Sequence, residues 1–348
     1  MRIDLPSFRE TVARLLSAGG VDPAQAESVR DNLVWCDMAG RRNHGIERLP
    51  VLLERVAKGG IAAPCRPRFS RIGPGAARLD AGNGFGHHAG RLAIDRACDV
   101  AAEHGVGIVG VHNSNFYGAG GYFANRAAER GMIGVALSNS FPKVAASGGL
   151  RPALGTNPLA FAAPRSGARA IIVDMSTAAL AGSSVREAMD KGERLAEGVA
   201  IDARGRPITD PACVERGTLL PAAGAKGFGL AILVELLSSV LTGAGVTEKV
   251  GSMYKHVSAG GNNGHFFLAL DIGRWMPLAT WQERVETLCL GLLDSGEPGA
   301  VRMPGDTRWA EYDLSLAEGV FVEERTLART ETLARNLGVT LDWAQSVA

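Results

Sequence analysis

Cysteine, aromatic residues and surplus charge are all scarce in this chain, and each shortage removes a class of protein. The five cysteines, Cys36, Cys65, Cys98, Cys213 and Cys289, are odd in number, far apart and form no C-x-x-C pair. That argues against a disulfide framework or a zinc knuckle and fits a reducing compartment, the cytoplasm being the simplest. The 37 basic and 36 acidic side chains leave a formal charge of +1 with no long basic block, so no nucleic-acid partner is expected. The longest helix-like apolar stretch, Leu230 to Leu241, is interrupted by Glu235 and is too short to span a bilayer. Met1-Arg-Ile-Asp-Leu-Pro has no apolar signal region, so no membrane partner is expected either. The histidines show no metal-ligand spacing, and the adjacent His87 and His88 cannot share one helix face. No metal is expected. Aromatics amount to 6%, and no repeat or low-complexity linker is visible.

What is abundant is glycine, 45 of 348 residues, nearly twice the usual share. With 46% hydrophobic and 21% charged residues, this describes an α/β chain rich in tight turns and close backbone approaches. The length suggests about two intertwined domains. Helices are expected from a capping box at Ser7–Glu10, from Asp22-Pro23 to Gly40, over 48–58, 88–104, 119–130, 280–293 and 325–337. The longest is expected over 226–241. Strands are expected over 107–111, 132–138, 158–163, 170–174, 264–272 and 319–322, with 41–46 a loop between helices.

Gly105-Val-Gly-Ile-Val-Gly110 matches the dinucleotide fingerprint G-x-G-x-x-G. The mechanism behind that motif needs a strand before the glycines and a helix after them. Here a helical pattern precedes and a strand follows, so the segment reads as a helix end leading into a buried strand.

Four other segments carry polar chemistry. In Arg42-Asn-His44-Gly-Ile-Glu-Arg48, a histidine able to exchange a proton near neutral pH lies four residues from a cation that can grip a carboxylate. The same residues also suit an ordinary surface histidine beside a solvated arginine. Leu154-Gly-Thr-Asn-Pro158 is either a plain turn or one that presents Thr156 and Asn157 to a ligand. In Val173-Asp-Met-Ser-Thr177, Asp174 ends an apolar run, as a ligand residue or as a helix cap. Gly224-Ala-Lys-Gly-Phe-Gly229 places a lysine among glycines at a helix start, without the full P-loop pattern.

Together, and in this order, these stretches resemble the type 2 malate/L-lactate dehydrogenase family. The relatives include ureidoglycolate and sulfolactate dehydrogenases, diketogulonate reductase and piperideine/pyrroline-carboxylate reductase. The matching stretches are His44-Gly-Ile-Glu-Arg48-Leu-Pro50, Asn113-Ser114 with Gly118-Ala-Gly-Gly-Tyr122, Gly131-Met-Ile-Gly134, Gly155-Thr-Asn-Pro-Leu-Ala-Phe161, Asp174-Met-Ser-Thr177, Thr209-Asp-Pro211, Lys226-Gly-Phe-Gly229 and Ser252-Met-Tyr254. They run collinearly over about residues 5–310.

The resemblance implies an α/β, non-Rossmann fold with a largely antiparallel or mixed sheet and flanking helical segments. It implies a homodimeric oxidoreductase that uses NAD or NADP. His44 matches the acid/base position and Arg48 the position that binds the substrate carboxylate. Thr156 matches the turn near the substrate. Ser140, Asp174, Met175, Ser176, Lys226 and the Pro304-Gly305-Asp306 turn match positions that line the cofactor. The expected organisation is an N-terminal helical segment (1–75) carrying His44 and Arg48, a central sheet domain (76–270) with the cofactor site, and a C-terminal helical segment (271–348) that packs back on the core.

Three departures stand out. Many relatives carry a histidine in N-S-x-H-F-G, taken as the base in the ureidoglycolate enzymes, and here that position is Phe116. His112 lies four residues earlier and is not a safe substitute. Ser183-Ser184 replaces a frequent Gly-Lys pair, and Val199 a frequent Trp. The implied reaction is hydride transfer between nicotinamide and C2 of a small 2-oxo or 2-hydroxy acid. The alternatives are reduction of an imine carboxylate, which needs less proton help, and a cofactor-binding homologue that has lost catalysis.

Overall fold

The computed structural model describes residues 1–341 and 343, apart from residue 181; the end of the expected C-terminal segment lies outside the described residues. The chain opens with β1 (Arg2–Ile3) and the helices α1 (Leu5–Ala18), α2 (Pro23–Met38) and α3 (Leu49–Ala57). The expected Ser7–Glu10 box does not cap α1. Asp4 does, its carboxylate accepting the Ser7 N–H at 3.0 Å. Pro6 explains the shift, because a residue without an N–H fits only the first helical turn. Asp22 caps α2 as expected, and two 3₁₀ turns, Arg42–His44 and Ile46–Arg48, join α2 to α3.

The hairpin β2 (Arg68–Gly73) and β3 (Ala76–Asp80) leads into α4 (Gly86–His104), β4 (Val106–Ser114), α5 (Gly120–Glu129) and β5 (Met132–Ser138). The strands β6 (Val144–Ala145), β7 (Pro152–Leu154), β8 (Leu159–Ala163) and β9 (Ile171–Met175) follow. Next come α6 (Gly182–Lys191), β10 (Ala200–Ile201), β11 (Thr218–Leu219) and α7 (Ala225–Glu235). The chain ends with β12 (Asn263–Asp271), α8 (Leu278–Leu293), α9 (Asp306–Glu318), β13 (Val320–Phe321) and α10 (Glu324–Asn336). The expected long helix over 226–241 is in fact α7 followed by a π-helical turn, Leu236–Val240. There the Ser238 and Thr242 hydroxyls donate to the carbonyls of Val234 and Ser238, and such bonds compete with the regular ladder. The longest described helix is instead α4, with 19 residues.

The central sheet has seven strands in the order β2-β3-β4-β12-β5-β8-β9. Only β3 and β4 run parallel, joined through α4; every other neighbouring pair is antiparallel. Strand alternation divides the two faces. Val109, Ala136 and Phe267 face Ala93, Ala97, Phe123 and Ala127 of α4 and α5. Phe266 and Leu137 pack on the other face with Val234 of α7. A small sheet in the order β10-β11-β6-β7 lies beside it. A second core gathers Phe8, Val12, Leu16, Leu33 and Leu52 from the first three helices with Val320, Val322 and Ala334 from the other end of the chain. β1 pairs with β13, Ile3 opposite Val320.

The glycine fingerprint is a packing feature. Gly105 ends α4 at φ +85°, a conformation that favours glycine. A Cβ on Gly107 would lie 1.9 Å from the Ala97 carbonyl oxygen, so the close seating of β4 on α4 demands glycine there. Helix precedes strand, the reverse of what a pyrophosphate turn needs.

Candidate active site

The loop bearing His44 is held by a carboxylate hidden at the end of α2. Asp37 is buried, and its Oδ2 accepts the Ile46 N–H at 2.7 Å. A Cβ on Gly45 would meet Asp37 Oδ1 at 2.0 Å, so only glycine lets the loop close on that acid. Burial raises the Asp37 pKa well above the usual carboxylate range, against the lowering effect of the Ile46 bond. Asp37 belongs to none of the motifs above. Its one sequence signal is an acid within the apolar run Val34-Trp-Cys-Asp-Met38.

His44 faces a cavity of about 370 Å³, within the usual range for small-molecule sites. The His44 Nδ1 lies 2.9 Å from Asn43 Oδ1. A carbonyl oxygen only accepts, so Nδ1 carries the hydrogen and Nε2 keeps its lone pair. Burial, then the charges of Arg41 and Arg48, push the His44 pKa down to about 3. The imidazole is therefore neutral at pH 7. Phe116 stands beside it, ring centroids 5.7 Å apart. Arg48 does not line the cavity: its Nε donates to the Asn43 carbonyl and its Nη1 to the Tyr254 hydroxyl at 2.7 Å. Its charge still acts on His44.

The opposite wall comes from the ends of β5, β8 and β9. Ser138, Asn139, Ser140, Thr156, Asp174, Met175 and Ser176 line it. The Ser140 Oγ accepts the Thr156 N–H at 2.9 Å, and the Ser176 hydroxyl donates to the Thr156 carbonyl at 3.1 Å. Asn157, at φ +33°, donates from Nδ2 to Glu235 Oε2 at 2.8 Å and so ties this turn to α7. Asp174 is nearly enclosed, with Arg41 at 3.5 Å and Arg308 at 3.8 Å. Its Oδ2 makes no hydrogen bond.

The structure thus brings His44, Ser140, Thr156, Asp174, Met175 and Ser176 to one cavity. Lys226 is exposed in the first turn of α7, away from that lining. Pro304, Gly305 and Asp306 lie behind β9, where the Pro304 carbonyl accepts the Ile172 N–H at 3.0 Å and Asp306 accepts the Met303 N–H at 2.8 Å. α9 starts at this turn and carries Arg308 to Asp174. His112 sits on β4 opposite Asp80, outside the lining. Arg308 and Asn139 belong to no sequence motif, because each reaches the site only through strand pairing or helix docking.

An implied dinucleotide can be tested against these groups. The Asp174 carboxylate at the cavity wall is ion-paired with Arg41 and Arg308 but its Oδ2 accepts no hydrogen bond, which leaves acceptor capacity for a hydroxyl donor such as a ribose offers. The Ser140, Thr156 and Ser176 hydroxyls, with the small residues Gly118, Ala119 and Gly120, form a wall that a flat ring and an amide can approach. The donor set fits a nicotinamide nucleotide. Among the described residues no cluster of His, Cys, Asp or Glu is able to hold a metal.

Comparison with known proteins agrees. The family model described as malate/L-lactate dehydrogenase matches residues 3–330. A malate dehydrogenase of Pyrococcus abyssi is 34% identical, over 97% of this chain and 96% of its own. An L-sulfolactate dehydrogenase of Methanothermobacter thermautotrophicus is 33% identical, over 98% and 99%. Among solved structures, malate dehydrogenase from Entamoeba histolytica superposes with a TM-score of 0.92 at 27% identity, covering 98% of this chain and 99% of that one. The Δ1-piperideine-2-carboxylate reductase of Pseudomonas syringae pv. tomato gives 0.87 at 30% identity, covering 96% and 100%.

Proposed function

The chain belongs to the malate/L-lactate dehydrogenase family, and from that premise we propose that it interconverts a small 2-hydroxy acid and its 2-oxo acid at the His44 cavity. It is a nicotinamide-dependent oxidoreductase; relatives use NAD(+) in one case and NADP(+) in another. The bound cofactor supplies or accepts the hydride at C2. Ser140, Asp174, Met175 and Ser176 would hold it in the cavity, with Lys226 and the 304–306 turn reaching it from outside that lining.

His44 is the acid/base. With Nδ1 tied to Asn43, Nε2 takes the hydroxyl proton in oxidation and returns it to the carbonyl oxygen in reduction. A pKa of about 3 keeps the imidazole unprotonated in the free enzyme. A substrate carboxylate beside Arg41 and Arg48 offsets their charge and restores basicity when the proton must be given back. Arg48 anchors that carboxylate after exchanging its Tyr254 contact, and Thr156 flanks the substrate. The neutral imidazole with a free Nε2 carries this reading. The test is a screen of 2-oxo acids with NADH and NADPH, followed by absorbance loss.

One observation favours a second substrate class. Phe116 lines the cavity beside His44 and transfers no proton, and an iminium acid needs less proton help than a ketone. Cyclic imine acids belong in the same screen. No turnover with either class would leave a cofactor-binding protein without catalysis.

The assembly we propose is a homodimer across α7 and its π turn, where Leu233, Leu236, Val240 and Leu241 are 45–65% exposed. The five unpaired cysteines support a reducing compartment, which we take to be the cytoplasm.

A further inference from the structure

His87, in the first turn of α4, is 0% exposed, and neither of its ring nitrogens has a hydrogen-bond partner. Asn32 on α2 is equally buried and leaves Nδ2 unpaired; the buried Tyr117 hydroxyl is unpaired as well. The same fold satisfies another buried histidine completely: His265 is hydrogen-bonded at Nδ1 by Ser138 and at Nε2 by Ser114. Keeping a partnerless imidazole costs free energy that an apolar residue would not. Buried polar groups of this kind are satisfied by protein or by ordered water, and here the protein supplies nothing.

The wall between this cluster and the cavity is one residue thick. Phe116 and Gly118 line the cavity. The Phe116 ring lies 5.7 Å from the His44 imidazole and 5.6 Å from that of His87. A Cβ on Gly118, at φ +82°, would stand 3.0 Å from His87 Cδ2 and 2.0 Å from Asn32 Oδ1. The titratable groups that act on His87 are His44 and His265; those acting on His44 include Arg41, Arg48, Asp174 and Arg186.

We propose that His87 is a positioning residue for proton transfer: with Asn32 it holds ordered water behind the Phe116–Gly118 wall and exchanges protons with His44 through that water. The proposal rests on the oxidoreductase reading above. In oxidation the substrate hydroxyl proton passes to His44 Nε2 as the hydride leaves C2. His44 then passes it through that water to His87, and as product leaves it returns by the same water to His44 and reaches solvent through the cavity, because His87 itself has no exposed surface. Reduction runs the protons in reverse, and no electrons pass through His87.

The experiment compares His87→Gln and His87→Leu with the wild type. Gln retains hydrogen bonding without carrying a proton; Leu removes both. Expected are an unchanged or raised melting temperature for Leu, a lower kcat in both, a shifted pH profile of kcat, and unchanged KM for substrate and cofactor. A crystal structure of the wild type should show water bonded to His87 and Asn32. Unchanged kcat and pH profile in folded His87→Gln, or no water at that pair, overturns the proposal. If His87→Leu does not fold, His87→Gln decides. If the wild type turns over no 2-oxo or imine acid, the oxidoreductase reading fails by itself, and the crystallographic water alone then bears on the pair.

Discussion

The tasks proposed for His44 and Arg48 are separable by substitution. His44→Ala should lower kcat by about 10²–10⁴-fold, the usual worth of a general acid or base. Arg48→Ala should instead raise the substrate KM by about 10–100-fold, the value of a charged hydrogen bond. Nicotinamide fluorescence should report unchanged cofactor binding in both, and steady-state kinetics reads the split. Titration gives a second prediction at this scale. Burial lowers His87 and His265 to about 3, as burial and neighbouring arginines do for His44. A depressed folded pKa means that the unfolded chain binds protons the native state does not. Their contribution is therefore complete above pH 6.5 and is lost as pH falls from 6.5 toward 3, by up to about 1.4 kcal/mol per pH unit for each fully buried ring. Urea midpoints at pH 7 and pH 5 should differ accordingly; equal midpoints would show that these rings are not held neutral.

At the scale of elements, α7 joins two jobs. Its inner face carries Val234 to the sheet and Glu235 to Asn157 of the cavity turn, while Leu233 is exposed, as are Leu236 and Leu241 at the two ends of the π turn that follows. This apolar face is where the proposed dimer contact would lie. Leu236→Arg combined with Leu241→Arg should convert a dimer of the 36.4 kDa chain to monomer in light scattering. A wild type that is already monomeric at micromolar concentration sinks the dimer. α7 also shows why elements were only partly legible. Its apolar run is plain in the sequence, with Glu235 as an interruption, yet the partner that makes a buried glutamate acceptable is Asn157, on a turn far away in the chain. α9 is not legible in the sequence because its buried positions are Trp309 and Ser315, too weak an apolar stripe to announce a helix.

For the whole molecule, the helical layer that carries His44 is closed by the other end of the chain. Ile3, Phe8 and Leu52 share their core with Val320, Val322 and Ala334, β13 pairs with β1, and the Ser315 hydroxyl donates to the Met38 carbonyl. Removing residues 319–341 should strip this core of its cover. The expected result is protease cleavage within 1–60 and loss of turnover, with the sheet retained by circular dichroism. A truncated protein with full activity would contradict this.

What the sequence determined by itself is what depends on neighbours along the chain. The strand over 132–138 shows in its apolar run, α2 in Asp22-Pro23 and Gly40, and the failure of the glycine fingerprint in the order of helix and strand. The family was legible too, because short collinear motifs survive side-chain drift. Only the tertiary structure decided which motif residues meet. Strand pairing brings Ser140, Thr156 and Asp174 to one wall. Docking of α9 adds Arg308 from the far end of the chain. Asp37 and His87 look like ordinary members of α2 and α4 until burial is known. Burial turns one into the clamp on the His44 loop and leaves the other without a partner, because the cost of a polar group depends on the surroundings that folding builds around it.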